Sequence, residues 1–411
     1  MNPLSASPPD RTIRRLALLA TAGWVAGIIL IGYVALTSWP QLPYRVDFIS
    51  FWTGGYLVRD GHGAEMFDLD AQQLFRSNLR PSYAATEKVP LGREYLPYIS
   101  LPPMALPYLP LTLFTVPQAY LIWWVLNYGA FALAIALSLR GQPFARAWAV
   151  LMLAFGAVTS TLYEGQVYAL FLLALSLAIW ALRSDRPLVA GLLLGALWTK
   201  PQYGVVFLLV FLVKGRWREF AGMVAAGLVV LILSVAMVGF TGAVRYMALL
   251  KELGSFGDWS VNPQAMVNWR AFLVNLDPHM PDVAGSLLVL ALGGLTVLLS
   301  LLAWRGEWDP LSERFSRQML VAVIATLVAS PHSHFHGLVL LFAPLSYLLP
   351  TIVKGRGMDS ALRLVLLAGY ILASVAWVFV RIRWLSMPLL VIAMAILLLQ
   401  GARTERVAQP S

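Results

Sequence analysis

The stretch Leu188-Val189-Ala190-Gly191-Leu192-Leu193-Leu194-Gly195-Ala196-Leu197-Trp198-Thr199-Lys200-Pro201-Gln202-Tyr203-Gly204-Val205-Val206-Phe207-Leu208-Leu209-Val210-Phe211-Leu212-Val213 decides the architecture. It holds two apolar runs, 188–198 and 203–213, joined at Thr199-Lys200-Pro201-Gln202 and flanked by Arg183, Arg186, Lys214, Arg216 and Arg218. A full bilayer crossing takes roughly 20 apolar residues, so each run falls short. With both basic flanks on one side of a membrane, the pair is a hairpin that carries Lys200 at its tip. Non-helical backbone in such a place survives only where protein or a water-filled cavity satisfies its polar groups.

Outward from this hairpin the chain has the same character. Of 411 residues, 59% are apolar and 12% charged, against roughly 25% charged in a soluble domain. The net charge of +10 lies in short Arg and Lys clusters between apolar runs and not on one basic stripe, which argues against a nucleic-acid partner. There is no cysteine, which excludes disulfides, thiolate catalysis and Cys-ligated metal centres.

The expected fold is all-α: a polytopic membrane protein with about twelve hydrophobic passes, several too short to span fully. They are placed at 16–38, 108–138, 147–163, 166–182, 187–199, 202–213, 219–239, 284–304, 319–330, 337–353, 364–380 and 385–401. The first run exceeds the roughly 7 to 15 residues of a signal-peptide core and counts as a span despite Arg11, Arg14 and Arg15 before it. Short loops rich in Arg and Lys mark the cytoplasmic side. By that rule both termini (1–15 and 402–411) are cytoplasmic, and the long loops 39–107 and 240–283 face outward within one integral membrane domain, 1–411.

Two further polar junctions resemble the Lys200 tip: Tyr163-Glu164-Gly165-Gln166 and Ser330-Pro331-His332-Ser333-His334-Phe335-His336. Three such junctions on one side predict one shared cavity. Lys200, flanked by long apolar runs, reads as a functional cation or as a Lys that snorkels from a helix end. Alternate spacing presents His332, His334 and His336 to one side of an extended segment. Phosphate or hydroxyl hydrogen bonding, metal ligation and helix-end packing all remain open for them, although no supporting carboxylate motif accompanies the histidines. Asp47, nine residues beyond the first span, has apolar and aromatic neighbours; it is either a carboxylate with a raised pKa, useful as a base, or a solvated loop residue. Arg270, beside Trp269 and near Asn262, Gln264 and Asn268, either clamps a phosphate or packs at headgroup level. No phosphate-binding Gly-rich loop, dinucleotide fingerprint or nucleophile elbow is present.

Several motifs, in order, resemble glycosyltransferase family 87, multi-span enzymes of the GT-C type. They are Asp47-Phe48-x-x-Phe51-x-x-Gly54, Gly61, Phe67, Tyr98-x-x-x-Pro102-Pro103, Pro110-Leu111, Gly165-Gln166, Ala190-Gly191-x-x-x-Gly195, Lys200-Pro201, Lys214-Gly215-Arg216-Trp217-Arg218 and Ser330-Pro331-His332. Leu101, Tyr168 and Gly337 depart from the pattern. The resemblance implies a GT-C-like helical bundle in the cell membrane, a bacterial inner membrane, with its site on the outer face. It implies inverting transfer of a hexose, often mannose, from a polyprenyl-phosphate sugar to a hydroxyl of a lipid or glycan acceptor, with no cofactor and no metal. Asp47 would be the base. Lys200, His332, His334 and Arg270 would bind the donor phosphate, and Glu164, Gln166, Tyr98 and His336 would orient the substrates. A lipid-linked-sugar flippase or secondary transporter is the rival reading, and a non-catalytic binder of lipid-linked sugar is a third.

Overall fold

The structure is a computed structural model that describes residues 42–79, 96–142, 145–253, 256, 262–354 and 358–408. The expected first span at 16–38, its preceding arginines and the extreme C-terminus lie outside the described residues.

The first long loop contains two helices, α1 (Phe48–Arg59) and α2 (Leu69–Leu79), before a 3-10 stretch from Pro102 to Leu113. Four prolines in that stretch withhold backbone N–H groups and prevent a regular α-helix. The span α3 (Val116–Ser138) then starts from a reciprocal cap between Thr115 and Gln118. α4 (Ala145–Leu153) and α5 (Gly156–Glu164) are bent by 51° at their junction, so the pass expected at 147–163 is broken in two. α6 (Tyr168–Arg183) is followed by the hairpin: α7 (Pro187–Leu194), a 3-10 turn to Thr199, and α8 (Pro201–Val213). α9 (Trp217–Leu253) is kinked at Gly239, whose φ of 65° and ψ of −177° are open to glycine alone. α10 (Trp269–Leu276), α11 (Asp282–Ala303) and α12 (Glu313–Ala329) lead to the histidine segment. A 3-10 turn then enters α13 (Phe342–Lys354), and α14 (Met358–Ala376) and α15 (Ser386–Ala408) flank a last 3-10 turn, Val380–Leu385.

Every expected pass after the first has a helical counterpart at its place. Among the described residues six helical segments are long and apolar enough to cross a membrane, or seven with the bent α4–α5 pair; α6, the α7 segment and α8 are shorter apolar helices. Burial sorts the spans. The Phe335–Ile352 segment is 72% buried and central, whereas α9 and α11 are 17% buried and present their apolar sides outward, as lipid-facing helices do.

Three helices fix where the site sits. α6, α8 and α12 have 16, 13 and 17 residues, hence lengths of about 24, 20 and 26 Å at 1.5 Å per residue. Each runs from a basic turn at one end to one of the three polar junctions at the other. At the basic end the turns are laced together: Arg183 donates to the Pro310 carbonyl at 2.8 Å and Lys214 to the Gly306 carbonyl at 2.5 Å. Beyond the Gly239 kink, Arg245 donates to the Ala64 carbonyl at 3.0 Å and lies 3.7 Å from Asp68, tying the end of α9 to the first long loop.

Candidate active site

Asp47 is the N-cap residue of α1, yet its carboxylate makes no cap bond. It accepts instead from Gln166 Nε2 at 2.5 Å. Apolar packing brings these distant residues together. Phe48 is fully buried between Tyr108 and Tyr120, with ring centroids 5.8 and 5.2 Å away, and Phe51 stacks on Tyr108 at 5.0 Å. Gly165 takes the left-handed conformation (φ 66°), and a Cβ there would lie 2.6 Å from Phe48 Cβ, so only glycine lets the two turns touch. The Gly165 carbonyl, freed by the end of α5, accepts from the Tyr108 hydroxyl and from Trp123 Nε1, each at 2.8 Å. The junction backbone is thus satisfied by side chains from the Pro-rich turn and α3.

At the second junction the residue preceding Pro201 is pushed out of the helical region, and Lys200 adopts φ −126°, ψ 85°. Its side chain is buried. Nζ donates to the Tyr168 hydroxyl at 3.3 Å and lies 4.7 Å from the centroid of that ring. Gln202 donates to the His332 carbonyl at 3.3 Å and binds this junction to the third.

The histidine segment is extended at His334 but turns into a 3-10 helix at Phe335, so His336 does not continue the alternate spacing expected of it. His334 forms an antiparallel bridge with Met266, and Val267 N donates to the Ser333 carbonyl at 2.8 Å. The imidazoles of His332 and His334 are 4.8 Å apart, and those of His334 and His336 6.4 Å. His336 Nδ1 is 3.1 Å from Ser160 Oγ of α5. Asn268 caps α10 by accepting from Ala271 N at 2.9 Å and donates to the Ser330 carbonyl at 2.8 Å, which sets Arg270 beside the histidines. Arg270 is buried, and its Nε donates to the Phe256 carbonyl at 3.2 Å.

A cavity of about 560 Å³ opens against this group. Lys200, Gln202, Arg270 and His332 form its polar wall, and Val289, Leu290 and Val297 of α11 its apolar wall. Asp47, Gln166, His334 and His336 are not in that wall. The charge of Lys200 acts on the Asp47 carboxylate. Burial raises the Asp47 carboxyl above the ordinary range, opposed by the Gln166 hydrogen bond and by the charges of Lys200 and Arg383. Burial, together with Lys200 and Arg270, pushes the His332 imidazole down to about 3, so it meets a ligand as a neutral hydrogen-bonding group. Among the described residues no group of three or more His, Asp or Glu side chains is arranged to hold a metal ion.

The structure therefore brings together Asp47, Gln166, Lys200, Arg270, His332, His334 and His336, with Glu164 ending α5 close enough to Asp47 for their charges to interact. Tyr98 is the exception. Its ring is buried and its hydroxyl donates to the Leu101 carbonyl at 2.6 Å, so it braces the turn that lines the cavity with Ser100 and Leu101 and offers substrate no polar atom. Sequence reading missed Tyr203, the partner of Tyr168, and Arg383. The latter is buried, donates to the Ala376 and Trp377 carbonyls at 3.1 and 3.0 Å, and lies 5.1 Å from the Phe335 ring. An Arg between two closely spaced apolar runs was the available signal. The Gly337 departure also has a cause: a Cβ there would lie 2.7 Å from Leu327 Cδ2 and 3.2 Å from the Tyr203 hydroxyl, so the place of a side chain is already taken.

No curated protein and no solved structure matches the chain. A family model, glycosyltransferase family 87, matches residues 99–331, which include the Gly165-Gln166 and Lys200 junctions, Arg270 and Ser330-Pro331, while Asp47, Tyr98, the three histidines and Arg383 lie outside the match. With more than half of its length matched, and with an all-α, multi-span architecture, the chain belongs to glycosyltransferase family 87 and is a glycosyltransferase.

Proposed function

We propose that the protein transfers a hexosyl group, mannosyl in the first instance, from a polyprenyl-phosphate sugar to a hydroxyl of a lipid or glycan acceptor, with inversion at the anomeric carbon. The observation that carries this reading is the position of Lys200. It lies in the wall of a cavity with one polar and one apolar side, and its charge acts on the Asp47 carboxylate. A lipid phosphate has the matching chemistry: an anion for Lys200 and Arg270, with neutral His332 as a hydrogen-bonding partner, and a hydrocarbon chain for the α11 side.

In this scheme Asp47 takes the proton of the acceptor hydroxyl as its oxygen attacks the anomeric carbon. The bond from that carbon to the phosphate oxygen breaks, and the polyprenyl phosphate leaves as an anion. A raised carboxyl pKa makes Asp47 a stronger base, and the Gln166 bond keeps it ionised and aimed. The leaving group is already a stable anion, so the remaining work is electrostatic and falls to Lys200 and Arg270. Glu164, Gln166 and His336 orient the substrates in this scheme. The concentration of Arg and Lys in the short loops supports a reading with both termini cytoplasmic and this chemistry on the outer face of the cell membrane.

The test is transfer from radiolabelled polyprenyl-phosphate mannose to a crude lipid and glycan pool by protein in nanodiscs, beside the Asp47→Asn variant. Label moved by the wild type alone is the expected result. Equal transfer by both removes Asp47 from the chemistry, and donor bound but never consumed favours a flippase.

A further inference from the structure

Lys200 is held by a route that the transfer scheme does not use. Its ammonium has no acceptor in its N–H groups, so in the 3.3 Å contact it donates and the Tyr168 oxygen accepts. The Tyr168 hydroxyl lies 2.9 Å from that of Tyr203, and Tyr203 3.2 Å from Ser333 Oγ, contacts in which either oxygen can donate; once Tyr168 accepts from Lys200, using each proton a single time runs the donors from Tyr168 to Tyr203 to Ser333. All four side chains are buried, with exposures of 8% for Lys200, 1% for Tyr168 and 0% for Tyr203 and Ser333. Ser333 in turn fixes the histidine segment, because its carbonyl accepts from Val267, one residue before the Asn268 that caps the Arg270 helix. The line of hydroxyls therefore begins at one cation of the cavity and ends at the strand pairing that places the other.

We propose that Tyr168 and Tyr203 are positioning residues for transfer: their hydroxyls, with Ser333, form a one-way hydrogen-bonded line that holds the Lys200 ammonium at the cavity wall and fixes its register to the histidine segment. The inference rests on the proposed donor site only for its consequence in turnover; the effect on Lys200 itself does not require it.

Two features support the line as a built device. Tyr168 also offers Lys200 its ring at 4.7 Å, so hydroxyl and π face act on one ammonium. Gly337 leaves room for the Tyr203 hydroxyl, since any Cβ there would approach it to 3.2 Å. The groups facing Lys200 are Asp47 from the start of α1, Tyr168 from α6, and His332, His334 and His336 from the histidine segment. Of these, Asp47 and Tyr168 favour its charged form.

The experiment reads the Lys200 amine directly. Competitive labelling with acetic anhydride across a pH series, resolved by mass spectrometry, is carried out on full-length wild type, Tyr168→Phe, Tyr203→Phe and the double variant in nanodiscs. Loss of the hydroxyl acceptor removes support for the ammonium, so in Tyr168→Phe the labelling midpoint of Lys200 moves to lower pH. Tyr203→Phe, which keeps the backbone bond from Tyr203 N to the Lys200 carbonyl and removes a hydroxyl that meets Tyr168 and not the ammonium, moves it the same way by less, and the double variant adds little to Tyr168→Phe alone. In turnover, Tyr168→Phe lowers kcat/KM for a polyprenyl-phosphate sugar about tenfold, the scale of one charge-assisted hydrogen bond, and has no further effect on top of Lys200→Met. An unmoved midpoint in Tyr168→Phe, or additive and independent effects of the two phenylalanines, overturns the proposal. A moved midpoint in a protein that transfers no sugar leaves the line standing and removes the donor reading instead.

Discussion

Lys200 and Lys214 bracket the same helix, α8, and their surroundings are opposites. Lys214 follows the helix, reaches a backbone carbonyl at an exposed turn and joins Arg183, Arg216 and Arg314 in a laced basic end. Lys200 precedes the helix, is buried, and has a tyrosine hydroxyl and ring as its partners. Where charges are solvated and tied to carbonyls or to each other they hold turns in place, and their individual worth is small. Where a charge is buried on hydroxyls and imidazoles its full pairing awaits an anion, and that is the end where chemistry belongs.

Five experiments would break or sharpen this contrast. Asp47→Asn at the polar end should lower transfer about 10²- to 10⁴-fold, the span for a lost general base, with insertion and thermal stability retained. Lys200→Met should cost about a hundredfold in kcat/KM for the lipid donor, while acceptor KM stays near wild type; an unchanged donor dependence would dissolve the contrast with Lys214. Gly165→Ala should follow with about a tenfold loss of kcat, because a left-handed alanine costs roughly 1–2 kcal/mol and its Cβ would meet Phe48 next to Asp47.

The pH profile is the fourth. The raised Asp47 carboxyl places the acid limb of kcat/KM above the ordinary aspartate value of about 3.9, with activity gained as pH rises through it. Removing the Gln166 donor in Gln166→Leu should move that limb further up, since the N–H bond favours the ionised form. Last and smallest, Lys214→Met should change stability by no more than about 0.5 kcal/mol and transfer by less than about twofold, as surface substitutions do.

Run length and composition located the passes that fall within the described residues, because a membrane span is written in local composition. What escaped was backbone detail within them: the 51° bend between α4 and α5, the Pro102–Leu113 stretch without α geometry, and the Gly239 kink. Each depends on what the neighbouring helix requires, which no single segment states. At the site, rarity exposed Lys200, and spacing exposed the three histidines. Tyr168 and Tyr203 stayed hidden because a tyrosine in an apolar run reads as core, and only the meeting of α6, α8 and the histidine segment turns their hydroxyls toward one another. Tyr98 shows the converse. Its place in a motif marked it as a substrate contact, whereas its hydroxyl is used up on the chain's own carbonyls.

The kink at Gly239 makes α9 two arms on one pivot. The first arm, residues 217–238, is about 33 Å long at 1.5 Å per residue, close to the roughly 30 Å hydrocarbon thickness that a span must match. The second arm is fastened to the first long loop through Arg245 and supplies Tyr246 and Leu250 to the cavity. One segment thus serves two surroundings: a first arm that turns apolar sides outward while it packs on α7, and a second arm whose residues meet the cavity.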